Sequence, residues 1–276
     1  MSKKVREACE SHGCFVLLCD NIITREAREE ILKCLKCLFD LPEDTKSKHK
    51  SPKPYRSYHS TKCPVIPLCE SFGIDDVPLG DTARSFTHLM WPHGNPAFCE
   101  TLKRMGSEML ELNLMVLKMI VEGLGLPKRY MSDAEKMKST SNLRLMKYRV
   151  PSNSKSPEPG LVAHTDKSAL TVLCQNEVQG LEVQTKQGKW AWSNGRLHAA
   201  THRVMMGGEK ERYSFGVFAV PKEEVVIQVP AELVDADHPL RYRPFLYGQY
   251  FDFYTCSLQH NALELFAALS PPLTLN

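Results

Sequence analysis

The chain has 276 residues, of which 42% are hydrophobic and 24% charged, with a formal net charge of +3. That length buries a substantial core, and the composition is that of an ordinary globular protein. The small charge, with no concentrated Lys/Arg tract, argues against nucleic acid as a partner.

The opening Met1-Ser2-Lys3-Lys4-Val5-Arg6-Glu7 is polar and lacks the apolar core of a leader. The longest apolar stretch, Leu112 to Ile120, is broken by Asn113 and Lys118 and is too short to cross a bilayer. Ten scattered cysteines then read as reduced thiols, and the expected location is the cytosol. Val5 to Ser11 predicts a helix that stops at Gly13, and Cys14 to Leu18 a short buried strand. Thr24 is a helix N-cap with Glu26 in the first turn, and that helix runs to Phe39, ahead of Pro42. It carries Cys34 and Cys37, a Cys-x-x-Cys that reads as two helix-buried thiols rather than a metal or redox pair. Ser47 to Gly80 is rich in Pro, Ser and Lys and predicts loops. Pro96 to Gly123 is the strongest helix. Its stripe of Met105, Met109, Leu112, Met115, Val116, Met119 and Ile120 recurs at 3.6-residue spacing and predicts a core face.

The period then changes. Leu143 to Tyr148 alternates, and Leu170–Cys174, Gly180–Gln184, Tyr213–Val220 and Val225–Val229 read as strands punctuated by glycines. A last helix is expected from Gln259 to Leu269. Helices followed by short strands predict an α+β chain with a double-sheet jelly-roll core. The division expected is a helical N-terminal region (1–138), a jelly-roll domain (139–258), and a C-terminal helix and tail (259–276).

Three motifs carry chemistry: His164-Thr165-Asp166, His202-Arg203-Val204 and Arg212-Tyr213-Ser214. On a strand, residues i and i+2 share a face, so His164 and Asp166 point together, as do Arg212 and Ser214. Two histidines and one carboxylate form the facial ligand set of a non-haem iron(II) oxygenase. Arg offers a planar fork for a carboxylate, to which Ser adds a hydroxyl. Each motif alone is cheap. The residues by themselves leave open a turn histidine, a surface histidine and an ordinary salt bridge at these positions.

In combination, His164-Thr165-Asp166, Gly180-Leu181-Glu182-Val183-Gln184-Thr185, the Asn194 to Val204 segment and Arg212-Tyr213-Ser214-Phe215-Gly216 resemble the plant iron(II)/2-oxoglutarate-dependent dioxygenases. The Gly180 to Trp190 wording is most similar to the glucosinolate side-chain branch. The Val5 to Val16 stretch resembles the family's opening helix and strand. The resemblance implies a double-stranded β-helix (cupin-like) core, with Fe(II) held by His164, Asp166 and His202. It implies 2-oxoglutarate held by Arg212, Ser214 and Tyr148, ascorbate as reductant, and Phe218 facing the substrate. His198 is a rival ligand by type. Met146 stands where the family usually has Asn. The implied reaction is hydroxylation or desaturation of a small organic substrate in plant specialised metabolism. It consumes dioxygen and releases succinate and CO2, on a monomer with no membrane partner.

Two departures set further expectations. The family usually begins with an additional N-terminal segment. Relatives also carry a segment with two strands where Trp190 here runs straight into Ala191. Such a loss takes partners from the middle of the jelly roll, exposes edges and threatens the reach of His202 to the metal. That expectation keeps a second reading in view, a catalytically inactive truncated isoform with partial metal or small-acid binding. A zinc hydrolase is disfavoured, since it leaves Arg212 and Ser214 without a task and lacks a general base.

Overall fold

Two antiparallel sheets face one another across a cavity, and a long helix backs the larger sheet. The computed structural model describes residues 1–61, 65–131, 141–152, 156–184, 188–257, 259 and 261–269. Helices α1 (Ser2–Ser11), α2 (Arg25–Phe39), α3 (Glu43–Lys46), α4 (Thr82–Met90) and α5 (Pro96–Gly123) dominate the first half, with strands β1 (Tyr58–His59) and β2 (Cys69–Asp75) between α3 and α4. The second half adds β3 (Ser141–Tyr148), β4 (Glu158–His164), β5 (Leu170–Gln175), β6 (Leu181–Gln184), β7 (Thr201–Met206), β8 (Arg212–Ala219) and the short pair β9 (Val226–Ile227) and β10 (Phe245–Leu246). Helices α6 (Tyr247–Ser257) and α7 (Ala262–Ala267) close it. The larger sheet has the order β1-β2-β3-β8-β5 and the smaller one β4-β7-β6.

Strand alternation makes the larger sheet a partition. Leu143 and Leu145 of β3, with Tyr213, Phe215, Val217 and Ala219 of β8, join the helical core with Leu102, Met105, Met109 and Leu112 of α5. The intervening Arg144, Met146, Tyr148, Arg212, Ser214 and Phe218 line the cavity. Each large apolar side chain fully buried in that core contributes about 1.5–3 kcal/mol. Helix α5 starts where the sequence says, because the Asn95 side chain accepts from the Phe98 amide and Pro96 needs no donor in the first turn. Asn113, an interruption in the apolar stretch, is fully buried; its amide donates to the Leu170 carbonyl of β5 (3.2 Å) and the Val217 carbonyl of β8 (3.1 Å).

Several expectations are corrected. Cys14 to Leu18 belongs to no ladder: it is extended, with Phe15 and Leu17 half-buried and Val16 and Leu18 about nine-tenths exposed. The Ser47 to Gly80 stretch is not only loop, because β2 pairs along its whole length with β3 and is buried on both faces, which hides its period. Helix α4 lies just beyond that stretch and was not predicted. In the Met stripe Met115 is exposed, and Cys37 of the Cys-x-x-Cys is exposed while Cys34 is only half-buried. Only Val226 and Ile227 of Val225–Val229 pair; the last helix forms over Ala262–Ala267, inside the expected Gln259 to Leu269, and helix α6 ahead of it was not predicted. Residues 138, 139 and 258, on which the division of the chain turns, lie outside the described residues.

The shortened link between β6 and β7 is a built turn. Asn194, at φ 55°, donates to the carbonyls of Leu233, His238 and Pro239 and accepts from the Arg241 amide. The His198 amide donates to the Cys9 carbonyl, which fastens the approach to β7 onto α1. The expected gap in the middle of the sheets is not seen: among the described residues β7 and β8 keep partners on both sides, and the edge strands are β1 and β5 of the larger sheet and β4 and β6 of the smaller. Edge strand β6 is exposed along its length, as anticipated.

A buried ion cluster braces the far end of β2. Glu70 accepts from Lys46 (2.6 Å), the Tyr58 hydroxyl (2.7 Å) and Arg149. Burial opposes its ionisation, but these donors outweigh that and hold its carboxyl down at about 2. Because the folded value lies below the unfolded one, this stability is present above the ordinary carboxylate range and is lost as pH falls towards about 2. Glu70→Ala strands the buried Lys46 ammonium and should cost about 3–5 kcal/mol in urea unfolding at pH 7, with the difference from the parent shrinking in acid; a loss under 1 kcal/mol would contradict the account.

Candidate metal centre

The smaller sheet brings the first two chemical residues together by strand register. β4 runs antiparallel to β7, and His164 is the direct partner of His202. Their ring centroids are 4.3 Å apart. The Nδ1 of His164 lies 3.0 Å from the Val162 carbonyl, and the Nδ1 of His202 lies 3.1 Å from that of Ala200. A carbonyl only accepts, so both rings donate from Nδ1 and leave Nε2 with a free lone pair. Both Nε2 atoms point to Asp166 Oδ1, at 3.6 Å and 3.8 Å. The other oxygen, Oδ2, accepts from the Thr171 hydroxyl at 2.5 Å.

Asp166 lies two residues past the end of β4, not on it, so its aim comes from Thr171 as well as from strand alternation. One donor atom from each of the three residues falls within 4.8 Å of the others, and among the described residues no other group of three or more His, Cys, Asp and Glu side chains does so. Burial opposes the charge of Asp166, but the adjacent histidines, when protonated, and the Thr171 hydroxyl outweigh it and hold the carboxyl far below its usual range. Burial also pushes His202 below its ordinary value. An ionised carboxylate beside neutral imidazole is the protonation state a divalent cation requires. The trio fits an octahedral metal with three positions left open.

The same cavity holds the second motif. Arg212 and Ser214 share a face of β8, with Arg212 Nη1 donating to Ser214 Oγ at 3.2 Å. Arg212 is fully buried; its Nη2 donates to Gln175 Oε1 at 2.7 Å, while Nε has no partner. No carboxylate pairs with it among the described residues. Its guanidinium stacks 4.9 Å above the Tyr148 ring, the register partner on β3. A buried cation with an orphaned donor is costly unless an anion arrives from outside, so this end of the cavity fits a carboxylate. Met146 lies beneath, 3.7 Å from the Tyr148 hydroxyl. Phe218 lines the cavity, whose volume is about 480 Å³.

Thr171 and Gln175 escaped the sequence reading. Both are on β5, and no short motif marks a residue whose part is to orient another. His198 stands apart from the trio, with its ring near Lys189. His202 is therefore in reach of the other two residues, carried there by the ladder β4-β7-β6.

Two family models match the chain: "non-haem dioxygenase in morphine synthesis N-terminal" over residues 1–94, and "2OG-Fe(II) oxygenase superfamily" over residues 140–221. The chain is 37% identical to the probable 2-oxoglutarate-dependent dioxygenase AOP1.2 of Arabidopsis thaliana, with 96% of this chain and 88% of that protein covered. It is equally similar, at 37%, to AOP1 of the same plant with the same coverage. The first alignment runs over 292 positions although the chain has only 276 residues, so the relative carries residues with no counterpart here. Among solved structures, the rice dioxygenase for auxin oxidation superposes with a TM-score of 0.79 at 28% identity, covering 97% of this chain and 94% of that one.

If Nε2 of His202 is a ligand, His202→Ala should abolish stoichiometric iron(II) binding measured by anaerobic calorimetry, while His198→Ala should stay within about threefold of the parent. The opposite ranking would move the ligand to His198.

Proposed function

Because the chain belongs to the 2-oxoglutarate- and iron(II)-dependent oxygenases, we propose that His164, Asp166 and His202 hold the ferrous ion and that Arg212, Ser214 and Tyr148 hold the distal carboxylate of 2-oxoglutarate. The observation that carries the reading is the pairing of a converged His-Asp-His trio with a buried, acid-free Arg212 in one cavity. When bound, the ferrous 2-oxoglutarate chelate supplies the chemistry that couples decarboxylation, to succinate and CO2, with oxidation of an unactivated C–H bond. The protein's own part is geometry. The Val162 and Ala200 carbonyls fix the imidazole tautomers, Thr171 fixes the carboxylate, and Gln175 holds the guanidinium plane that grips the co-substrate. Phe218 and the apolar wall orient the organic substrate and keep water from it.

Hydroxylation or desaturation of a small molecule in plant specialised metabolism is the reaction we assign, with dioxygen as the second co-substrate and ascorbate as the reductant. All three ligands come from one chain, which supports action as a monomer. The nine described cysteines are all unpaired, which supports a reducing compartment such as the cytosol. An inactive remnant is not favoured, since the shortening spares every residue of the trio and of the anion clamp.

Anaerobic addition of iron(II) and 2-oxoglutarate should give the saturable visible charge-transfer band of a bidentate chelate. Arg212→Ala should weaken 2-oxoglutarate at least tenfold, because a charge-assisted contact is lost, and leave iron affinity within about twofold. A folded parent without the band, or an Arg212→Ala protein with unchanged 2-oxoglutarate affinity, would overturn the assignment.

A further inference from the structure

A second guanidinium opens into the same cavity and has no acid of its own. Arg144 shares the cavity face of β3 with Met146 and Tyr148. Its partners on the two neighbouring strands are both glycines, Gly73 on β2 and Gly216 on β8. Neither neighbour puts a side chain beside it; the space next to Gly73 is taken by the Tyr55 carbonyl and that next to Gly216 by Leu173, while the Arg144 side chain lines the cavity. Tyr55, held at φ 64°, covers Gly73 so closely that a Cβ there would meet its carbonyl, and its ring lies 5.7 Å from the Arg144 guanidinium. One terminal nitrogen donates to Ser71 Oγ at 2.9 Å. A guanidinium has five N–H donors, and among the described residues no other acceptor and no carboxylate pairs with this one.

The contrast with its neighbour is direct. Arg56 lines the same cavity and is satisfied by both oxygens of Asp75, each at 3.1 Å. Arg144 has no such partner; the acid whose field reaches it is Asp166, which faces the two histidines. His59, also on the cavity wall, has a buried Nε2 with no hydrogen-bond partner. The site of Arg144 is distinct from the co-substrate clamp. Tyr148 opposes Arg212, and the Arg144 backbone is four residues away along β3, about 13 Å, with its guanidinium turned onto Ser71, the register partner of Met146. A 2-oxoglutarate anchored on Arg212 directs its other carboxylate to the metal, so it leaves Arg144 unmatched. Elsewhere the cavity wall carries Val65, Ile66, Leu161, Phe218, Phe251 and Tyr254.

Resting on the reading above, we propose that the organic substrate is itself an anion, an apolar body bearing a carboxylate or sulfate that Arg144 grips, and that Arg144 is the specificity-determining residue of this cavity. The oxyanion completes the donors that Ser71 leaves open, and the body fills the apolar wall on the side facing the trio.

Calorimetry under anaerobic conditions, with iron(II) and saturating 2-oxoglutarate present, tests this with three probes: indole-3-acetate, indoxyl sulfate, and the neutral methyl ester of indole-3-acetate. The parent should bind at least one anion tenfold or more tighter than the ester. Arg144→Gln should bring anion and ester within about twofold, while Arg144→Lys should keep a preference for the anion. The preferred probe of the two anions tells carboxylate from sulfate. Parity between anions and ester in the parent, no saturable binding of either anion, or an undiminished preference in Arg144→Gln would overturn the proposal. The charge-transfer band read in the same samples keeps the two readings apart: band without anion preference defeats this inference alone, and anion preference without band defeats the chelate assignment alone.

Discussion

His164 stands opposite His202 on adjacent antiparallel strands, and the geometry of the site follows from that register. A directly opposed pair brings Cβ atoms to about 5 Å, which is the separation two imidazoles need to reach one ion. A slip by one residue would turn His202 out of the cavity and Arg203 into it. The register is guarded on both sides: β7 pairs with β4 through His164 and with β6 through Val183. Asn194 and the Cys9 carbonyl then fix where the chain enters β7. The site is thus set by the smaller sheet, and a chain that lacks residues its relative carries still converges its three side chains.

The larger sheet does the complementary work. One face is given to the helical core, where Asn113 ties α5 to β5 and β8; the other is given to charge. Burying Arg212 and opening Arg144 into a cavity whose lining acid, Asp166, faces the two histidines leaves the lining with more positive than negative side chains before anything binds. Such a cavity repels cationic molecules and discriminates among neutral ones poorly, so its charge is an argument about what enters it.

Much of this was legible in the residues. The i, i+2 spacing of Arg212 and Ser214 gave their shared face, and the apolar-striped α5 showed its own limits. The trio was legible only as residue types in an order, because proximity of His164 and His202 is a property of pairing, which no local pattern encodes. Strand β2 was hidden because it is buried on both faces and shows no alternation. The extended Cys14 to Leu18 segment misled for the reverse reason: its pattern is that of a strand, but a strand also needs a partner, and among the described residues it has none. Arg144 was invisible as a site residue since one arginine in an alternating strand reads as a solvated face; only its contacts with Ser71 and Tyr55, far away in sequence, reveal its direction.

The central claim is that cross-strand pairing brings together the two histidines of the proposed metal site in this chain. X-ray absorption at the iron edge, on protein loaded anaerobically with one equivalent of iron(II), measures it most directly. The account predicts one tightly held iron per chain with two imidazoles in its coordination shell. Iron with one imidazole or none, in a sample that remains folded, would contradict it.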